Sequence, residues 1–188
     1  MIPTLETGRL ILRPISLDDA PQAQAIFPQW EIVRYLADKV PWPYPPNGAL
    51  TFIRDIAMPA MERGDAWHWT IRLKTDADCI IGCISLTRGA VGLADGVESN
   101  RGFWLEPRFQ RQGLMLEASE CVTDFWFNVL EMPLMRVSKA LYNTGSRGIS
   151  EKQGMRMVAI EERDYVSGRL ASEIWEITRE EWLARESK

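Results

Sequence analysis

The residues that most restrict the fold are 104–118, WLEPRFQRQGLMLEA, because the apolar period changes inside them. Upstream, residues 66–74 (AWHWTIRLK) alternate, with Trp67, Trp69, Ile71 and Leu73 on one face and His68, Thr70 and Arg72 on the other. A TDAD turn leads into CIIGCISLTRG (79–89), GLADGVESN (92–100) makes a second turn, and RGFWLEP (101–107) reads as a third strand. Two strand-to-strand turns in succession imply an antiparallel meander. Downstream of Gly113, residues Ala118, Val122, Phe125 and Val129 recur at helical spacing, a stripe suited to lie on a sheet. MRVSKALYN (135–143) is strand-like again, so strand 101–107, the helix and strand 135–143 form one right-handed crossover between parallel strands. The expected fold class is α+β: a mixed, mostly antiparallel sheet with a parallel strand pair and helices on both faces.

The remaining segments fit that plan. RLILRPI (9–15) is a strand that Pro14 restricts to an edge or a terminus. Residues 18–36 read as helix broken near Pro28, VPWPYPPNG (40–48) is a stiff loop carrying Trp42 and Tyr44, and residues 49–64 return to helical spacing and stop at Gly64. TGSRGISEKQGM (144–155) is a short helix ended by Gly154. RMVAIEERDY and SGRLASEIWEIT make a last antiparallel pair, and TREEWLARE is a capped closing helix. With no repeat or linker, the 188 residues are read as one domain, 1–188.

Composition bounds the function. A net charge of -4 lacks the broad basic footprint of a general nucleic-acid binder, so any anion site must be local. Cys79, Cys83 and Cys121, with no CxxC pair and His68 as the only histidine, do not make zinc-site spacing, and no metal is expected. The cysteines and the lack of a leader pattern fit a reducing cytoplasm. No run approaches the ~20 apolar residues of a membrane span.

In the opening stretch a strand passes through a basic loop into a helix. The first turn of a helix carries backbone N–H groups without partners and a partial positive charge, which together favour an anion. Gly113 lets a phosphate approach the backbone, and Arg108 and Arg111 add charge at the rim. The same residues also serve as an ordinary turn with solvated arginines. The pattern is neither a Walker loop nor GxGxxG. Gly145 and Gly148, in a helix of about ten residues, each cost about 1 kcal/mol relative to Ala. That cost is explained by a ligand approaching the backbone or by tight helix-on-sheet packing.

WLEPRFQRQGLMLEA resembles the acetyl-CoA-binding segment of the GNAT N-acetyltransferases, and within them the RimJ/RimL branch that acetylates protein N-termini. RLILRPIS near the start, the meander, and NTGSRGISEKQGM, where that branch carries N-x-x-S and then E-K-x-G-[FM], extend the resemblance over much of the chain. It implies a GNAT fold whose parallel strands splay apart. It also implies that Gln110, Arg111, Gln112, Gly113, Leu114 and Met115 form a pyrophosphate loop. Met115 departs from the general pattern [QR]-x-x-G-x-[GA], which has a small residue there. The backbone of Phe103, Trp104 and Leu105 would pair with pantetheine like an added strand. Asn143 would hold the cofactor arm and Ser146 would sit near its sulfur, with Lys152 and Arg147 as further candidates for the nucleotide phosphates.

The implied reaction is direct attack of a neutral primary amine, a protein N-terminus or a small molecule, on the thioester. Leu105 N–H is the expected oxyanion donor, Glu106 the first candidate base with His68 second, and Ser146 the donor to the departing thiolate. Trp42 and Tyr44 are candidates for the acceptor pocket, and a homodimer is left open. Two readings of other classes remain: a non-catalytic acyl-CoA sensor, and a nucleotide-binding protein of different chemistry.

Overall fold

The computed structural model describes residues 2–89 and 99–185; most of the expected turn at 92–100 lies outside the described residues. Among the described residues, eight strands form two antiparallel sheets. The first, in chain order, joins β1 (Leu5–Glu6), β2 (Leu10–Pro14), β3 (Ala66–Leu73), β4 (Gly82–Thr87) and β5 (Arg101–Leu105). The second has the order β6 (Leu134–Ala140), β8 (Gly168–Thr178), β7 (Arg156–Tyr165). Pro14 is the last residue of β2, opposite Trp69, so its missing N–H does not interrupt a ladder.

Alternation sorts the first sheet into two faces. Leu10, Leu12, Trp67, Trp69, Ile71, Ile84, Leu86 and Leu105 share one core with Leu114, Met115, Ala118, Val122, Phe125 and Trp126 of the crossover helix α5 (Leu114–Asp124) and the π-helical turn after it. The opposite face is covered by α1 (Ala20–Ile26), α3 (Gly48–Phe52) and α4 (Met58–Arg63), with α2 (Trp30–Val33) between α1 and α3 in the chain. α1 and α2 are separate helices on either side of Pro28, as the sequence implies. A π-helical turn, Ile53–Ala57, lies between α3 and α4, just before the N–H that Pro59 lacks. Gly64 ends α4 with φ 74°, a conformation that favours glycine. Among the described residues no helix is long and apolar enough to cross a membrane.

The expected single mixed sheet is divided. β5 and β6 are each the last strand of their own sheet, and they meet through a clamp rather than a ladder. Asn100 N–H donates to Arg136 O at 2.7 Å, while its side-chain Oδ1 accepts from Arg136 N–H at 2.8 Å. Its Nδ2 donates to Thr87 O at 3.1 Å, taking the place in the β4 ladder that its own backbone N–H has left. The hydroxyl of Ser99, the residue before Asn100, reaches one step further along both strands, donating to Arg101 O at 2.8 Å and accepting from Ser138 N–H at 3.3 Å. Contacts advance from 100/136 to 101/138, so both strands leave the clamp in the same direction. A serine hydroxyl already fills the gap at Ser138, and no ladder follows it.

Candidate active site

Hydrogen-bond parity shows what β5 offers to this gap. Glu106 N–H donates to Ile81 O at 2.8 Å, which makes the even residues of β5 the ones that bond β4. In an antiparallel pair the alternate residues point their N–H and C=O away, so Phe103 and Leu105 turn theirs to the open edge. On β6 the same reasoning, from Leu141 N–H to Ala171 O at 2.9 Å, turns the even residues Arg136, Ser138 and Ala140 toward β5. The cleft is thus walled by two sets of unladdered backbone groups.

The loop after β5 is held by its own side chains. Gln110 Nε2 donates to Leu105 O at 2.9 Å and Gln112 Nε2 to Arg108 O at 2.9 Å. Arg111 (φ 62°) and Gly113 (φ 77°) both lie in the left-handed region, which turns the chain sharply into α5. Gly113 is the N-cap and offers no side chain, so the N–H groups of Leu114, Met115 and Leu116 have no helical acceptor and no side-chain cap. Arg9 reaches across from the start of β2: Nη1 donates to Gln112 O at 3.0 Å, and Nε pairs with Glu117 Oε2 at 2.7 Å. Burial alone would push the Glu117 carboxyl up, but hydrogen bonds from Thr7 and Arg9 and the arginine charge outweigh it and hold it below its ordinary value. The Met115 side chain is 8% exposed and lies in the core, so only its backbone faces the loop, and Leu114 is buried beside it.

Helix α6 (Thr144–Lys152) faces the cleft from the end of β6, capped by Asn143, whose Oδ1 accepts from Ser146 N–H at 3.2 Å. That bond uses the backbone of Ser146 and leaves its partly buried hydroxyl unused by the cap. A Cβ at Gly148 would meet nothing within 4 Å and one at Gly145 only Asn143 Oδ1 at 3.9 Å, so tight packing does not account for either glycine. Arg147 is committed elsewhere, to Glu173 at 2.5 and 3.0 Å and to Leu141 O. Lys152 is exposed in the last turn, at the far end of the helix from Asn143.

Glu106 follows Trp104 on the face of β5 toward α1–α4. Its Oε1 pairs with Arg108 Nε at 2.7 Å, while Oε2 is buried without a hydrogen-bond partner. His68 stands two strands away, paired across β3 and β4 with Ser85, itself opposite Gly102. At ~4.8 Å per strand, that is about 10 Å from β5. Burial pushes the His68 pKa down to about 4, so it is neutral at pH 7 and a weak base.

Beneath α6 lies a buried cationic group with no clear sequence signal. Arg101 (4% exposed) donates to Thr123 Oγ1 at 2.7 Å and Gln153 Oε1 at 2.8 Å, while Lys139 (3% exposed) donates to Ser150 Oγ at 2.6 Å and lies against the Trp175 ring. Their polar residue types on strands would ordinarily predict exposure. Burial pulls Arg101 down to about 10, and burial together with the Arg101 charge pulls Lys139 down to about 7.

Comparison with known proteins agrees with this geometry. A family model described as an acetyltransferase (GNAT) domain matches residues 9–156. The ribosomal-protein-S5-alanine acetyltransferase of Vibrio fischeri superposes with TM-score 0.78 at 14% identity, over 96% of this chain and 98% of that one. RimL, a ribosomal L7/L12 α-N-protein acetyltransferase solved with coenzyme A, gives 0.70 at 14% identity over 94% and 97%. The microcin C7 self-immunity acetyltransferase MccE, solved with acetyl-CoA and AMP, gives 0.72 at 16% over 92% and 93%. No curated protein sequence matches the chain. With the family model spanning most of the sequence and the splayed strands leading into a glycine-capped helix, this chain belongs to the GNAT acetyltransferases.

Proposed function

We propose that the cleft between β5 and β6 binds acetyl-CoA and that the enzyme transfers its acetyl group to a primary amine. One observation carries the reading: the open N–H groups of Phe103 and Leu105 lead directly to the uncapped N-terminus of α5. An extended chain of amides ending in a pyrophosphate fits that sequence of donors, the arm as an added strand and the phosphates on Gly113, Leu114 and Met115 N–H. Gln110 and Gln112 shape the loop with their side chains, and Arg111 supplies charge. Asn143 keeps its Nδ2 for the arm.

Acetyl-CoA supplies an activated acyl group, so the protein needs no nucleophile of its own. Leu105 N–H polarises the thioester carbonyl, and Phe103 N–H, two residues along the edge, pairs with the arm. The bare Oε2 of Glu106 takes the proton of the incoming amine, directly or through water. The Ser146 hydroxyl donates to the sulfur as it leaves. His68, distant and weakly basic, is left out of proton transfer.

We take the acceptor to be a protein N-terminus or a small amine, a range that covers the ribosomal-protein acetyltransferases and the microcin-immunity acetyltransferase among the structural neighbours. Release of free CoA, measured with a panel of N-terminal peptides and small amines, tests the assignment. Acetyl-CoA binding without CoA release to any amine would instead identify an acyl-CoA sensor.

A further inference from the structure

Arg101 at the start of β5 and Lys139 near the end of β6 stand on the two strands that wall the cleft, and the mechanism above uses neither. Their partners place both on the face that carries α5 and α6: Thr123 and Gln153 for Arg101, Ser150 for Lys139. All three partners are neutral, and Arg101 Nε is buried with no hydrogen bond among the described residues. Glu173, opposite Lys139 in the β6–β8 ladder, is held by Arg147 at 2.5 and 3.0 Å and by Trp175 Nε1 at 3.0 Å. Three basic side chains here share one buried carboxylate. Unbalanced charge in a dry interior costs stability, and an anion that comes beside it gains more than it would in water.

Helix α6 leads from this charge to the reacting sulfur. Ser150 Oγ, 2.6 Å from Lys139 Nζ, belongs to the residue four after Ser146, and side chains four apart stand on one helix face about 6 Å from each other. Ser146 is at the capped end, its hydroxyl unused by Asn143, where the acetyl-CoA reading puts the sulfur. One helical turn therefore separates the ammonium from the leaving group, and the intervening side chains are shut off from water: Ser150 is 0% and Lys139 3% exposed.

We propose that Lys139, backed by Arg101, is the electrostatic partner of the departing thiolate, stabilising it from one helical turn away while keeping its own proton. The inference rests on the acetyl-CoA reading and deepens it. In the step, the amine nitrogen bonds to the carbonyl carbon and gives its proton to Glu106. The C–S bond breaks with its electron pair going to sulfur, which leaves as a thiolate hydrogen-bonded by Ser146 and later takes a proton from water. Lys139 acts only while charged. Burial and the Arg101 charge hold its pKa down at about 7; Arg147 lowers it as well, while Glu173 and Glu151 raise it. The effect is thus present below pH 7 and fades above it.

The test follows the thiolate of bound CoA by its ultraviolet absorbance, with bound desulfo-CoA as the blank. Below pH 7, wild-type protein should hold about fivefold or more of its CoA as thiolate relative to Lys139→Met, and the difference should shrink as the lysine loses its proton. Lys139→Arg, which keeps the charge, should retain the thiolate, and Lys139→Gln is a second neutral variant should Lys139→Met fail to fold. With any amine that supports turnover, the neutral variant should lower kcat by about tenfold below pH 7 at an unchanged KM for acetyl-CoA, the gap closing at higher pH. Equal thiolate in wild type and the neutral variant overturns the inference, as does an equal loss in Lys139→Arg or a kcat deficit independent of pH. Calorimetry with CoA separates these from a failure of the underlying reading, in which CoA itself does not bind.

Discussion

Asn100 holds both the N–H and the C=O of Arg136, one through its side chain and one through its backbone, and this pair of bonds is where the two sheets are joined. The arrangement works because the Asn100 amide also replaces the backbone N–H that β4 would otherwise receive. Asn100→Ala removes the side-chain bonds to Thr87 O, Arg88 O and Arg136 N–H and leaves these partly buried groups without that partner. A loss of ~1–3 kcal/mol is expected in urea denaturation, below the full penalty because the groups are only partly buried. The KM for acetyl-CoA should rise as the cleft loses its apex. An unchanged denaturation midpoint would remove Asn100 from this role.

Gly113→Val places a β-branched residue at φ 77° and its Cβ about 3.5 Å from Arg9 Nη2. The left-handed conformation costs on the order of 1–2 kcal/mol, and the loop amides turn away from the phosphate. Acetyl-CoA affinity should fall by at least an order of magnitude, with Gly113→Asn milder because Asn tolerates this region. Retained affinity in Gly113→Val would rule out the loop as the phosphate site.

Glu106→Gln should lower kcat by ~100-fold, the scale of general-base catalysis, with little change in the KM for acetyl-CoA. Ser146→Ala should lower kcat as well and spare the α6 cap, which uses only the Ser146 N–H. His68→Gln should have a much smaller effect on kcat, since a pKa of about 4 makes the ring a weak base and it stands two strands from β5. A kcat dependence on His68 equal to that on Glu106 would reverse the assignment.

Lys139 links the cleft to pH. Its folded pKa, about 7, lies below the ~10.5 of an unfolded lysine, so between these values the unfolded chain binds the extra proton. Stability from this group therefore rises with pH across that window, by up to ~1 kcal/mol per unit, and is least below pH 7. Lys139→Met should flatten the slope in denaturation curves between pH 7 and 10. An unaltered slope would mean that Lys139 stays charged when folded.

The meander, the crossover, the break at Pro28 and the capped last helix were legible because each follows from local period or chain chemistry. Thr178 and Glu181 form the capping box that TREEW implies. The strand expected from residue 79 begins its ladder at Gly82, since Arg72 takes the Ala77 and Asp78 carbonyls and Gln22 takes Ile80 N–H. Asn100 was not legible: an asparagine after a turn reads as turn chemistry, and its exchange of side chain for backbone depends on a strand 36 residues away. Arg101 and Lys139 were missed for the same reason, their partners being Gln153, Thr123 and Ser150 on other elements. Arg147 looked like a phosphate ligand by position, yet Glu173 on β8 holds it.

The central claim, that the cleft and the α5 N-terminus receive acetyl-CoA, is tested most directly by isothermal titration calorimetry of the wild-type protein with acetyl-CoA, with ATP as the control nucleotide. Saturable one-site binding of acetyl-CoA in the micromolar range, with none for ATP, is the predicted result. No heat of binding for acetyl-CoA at high micromolar concentration, or equal binding of ATP, would contradict it.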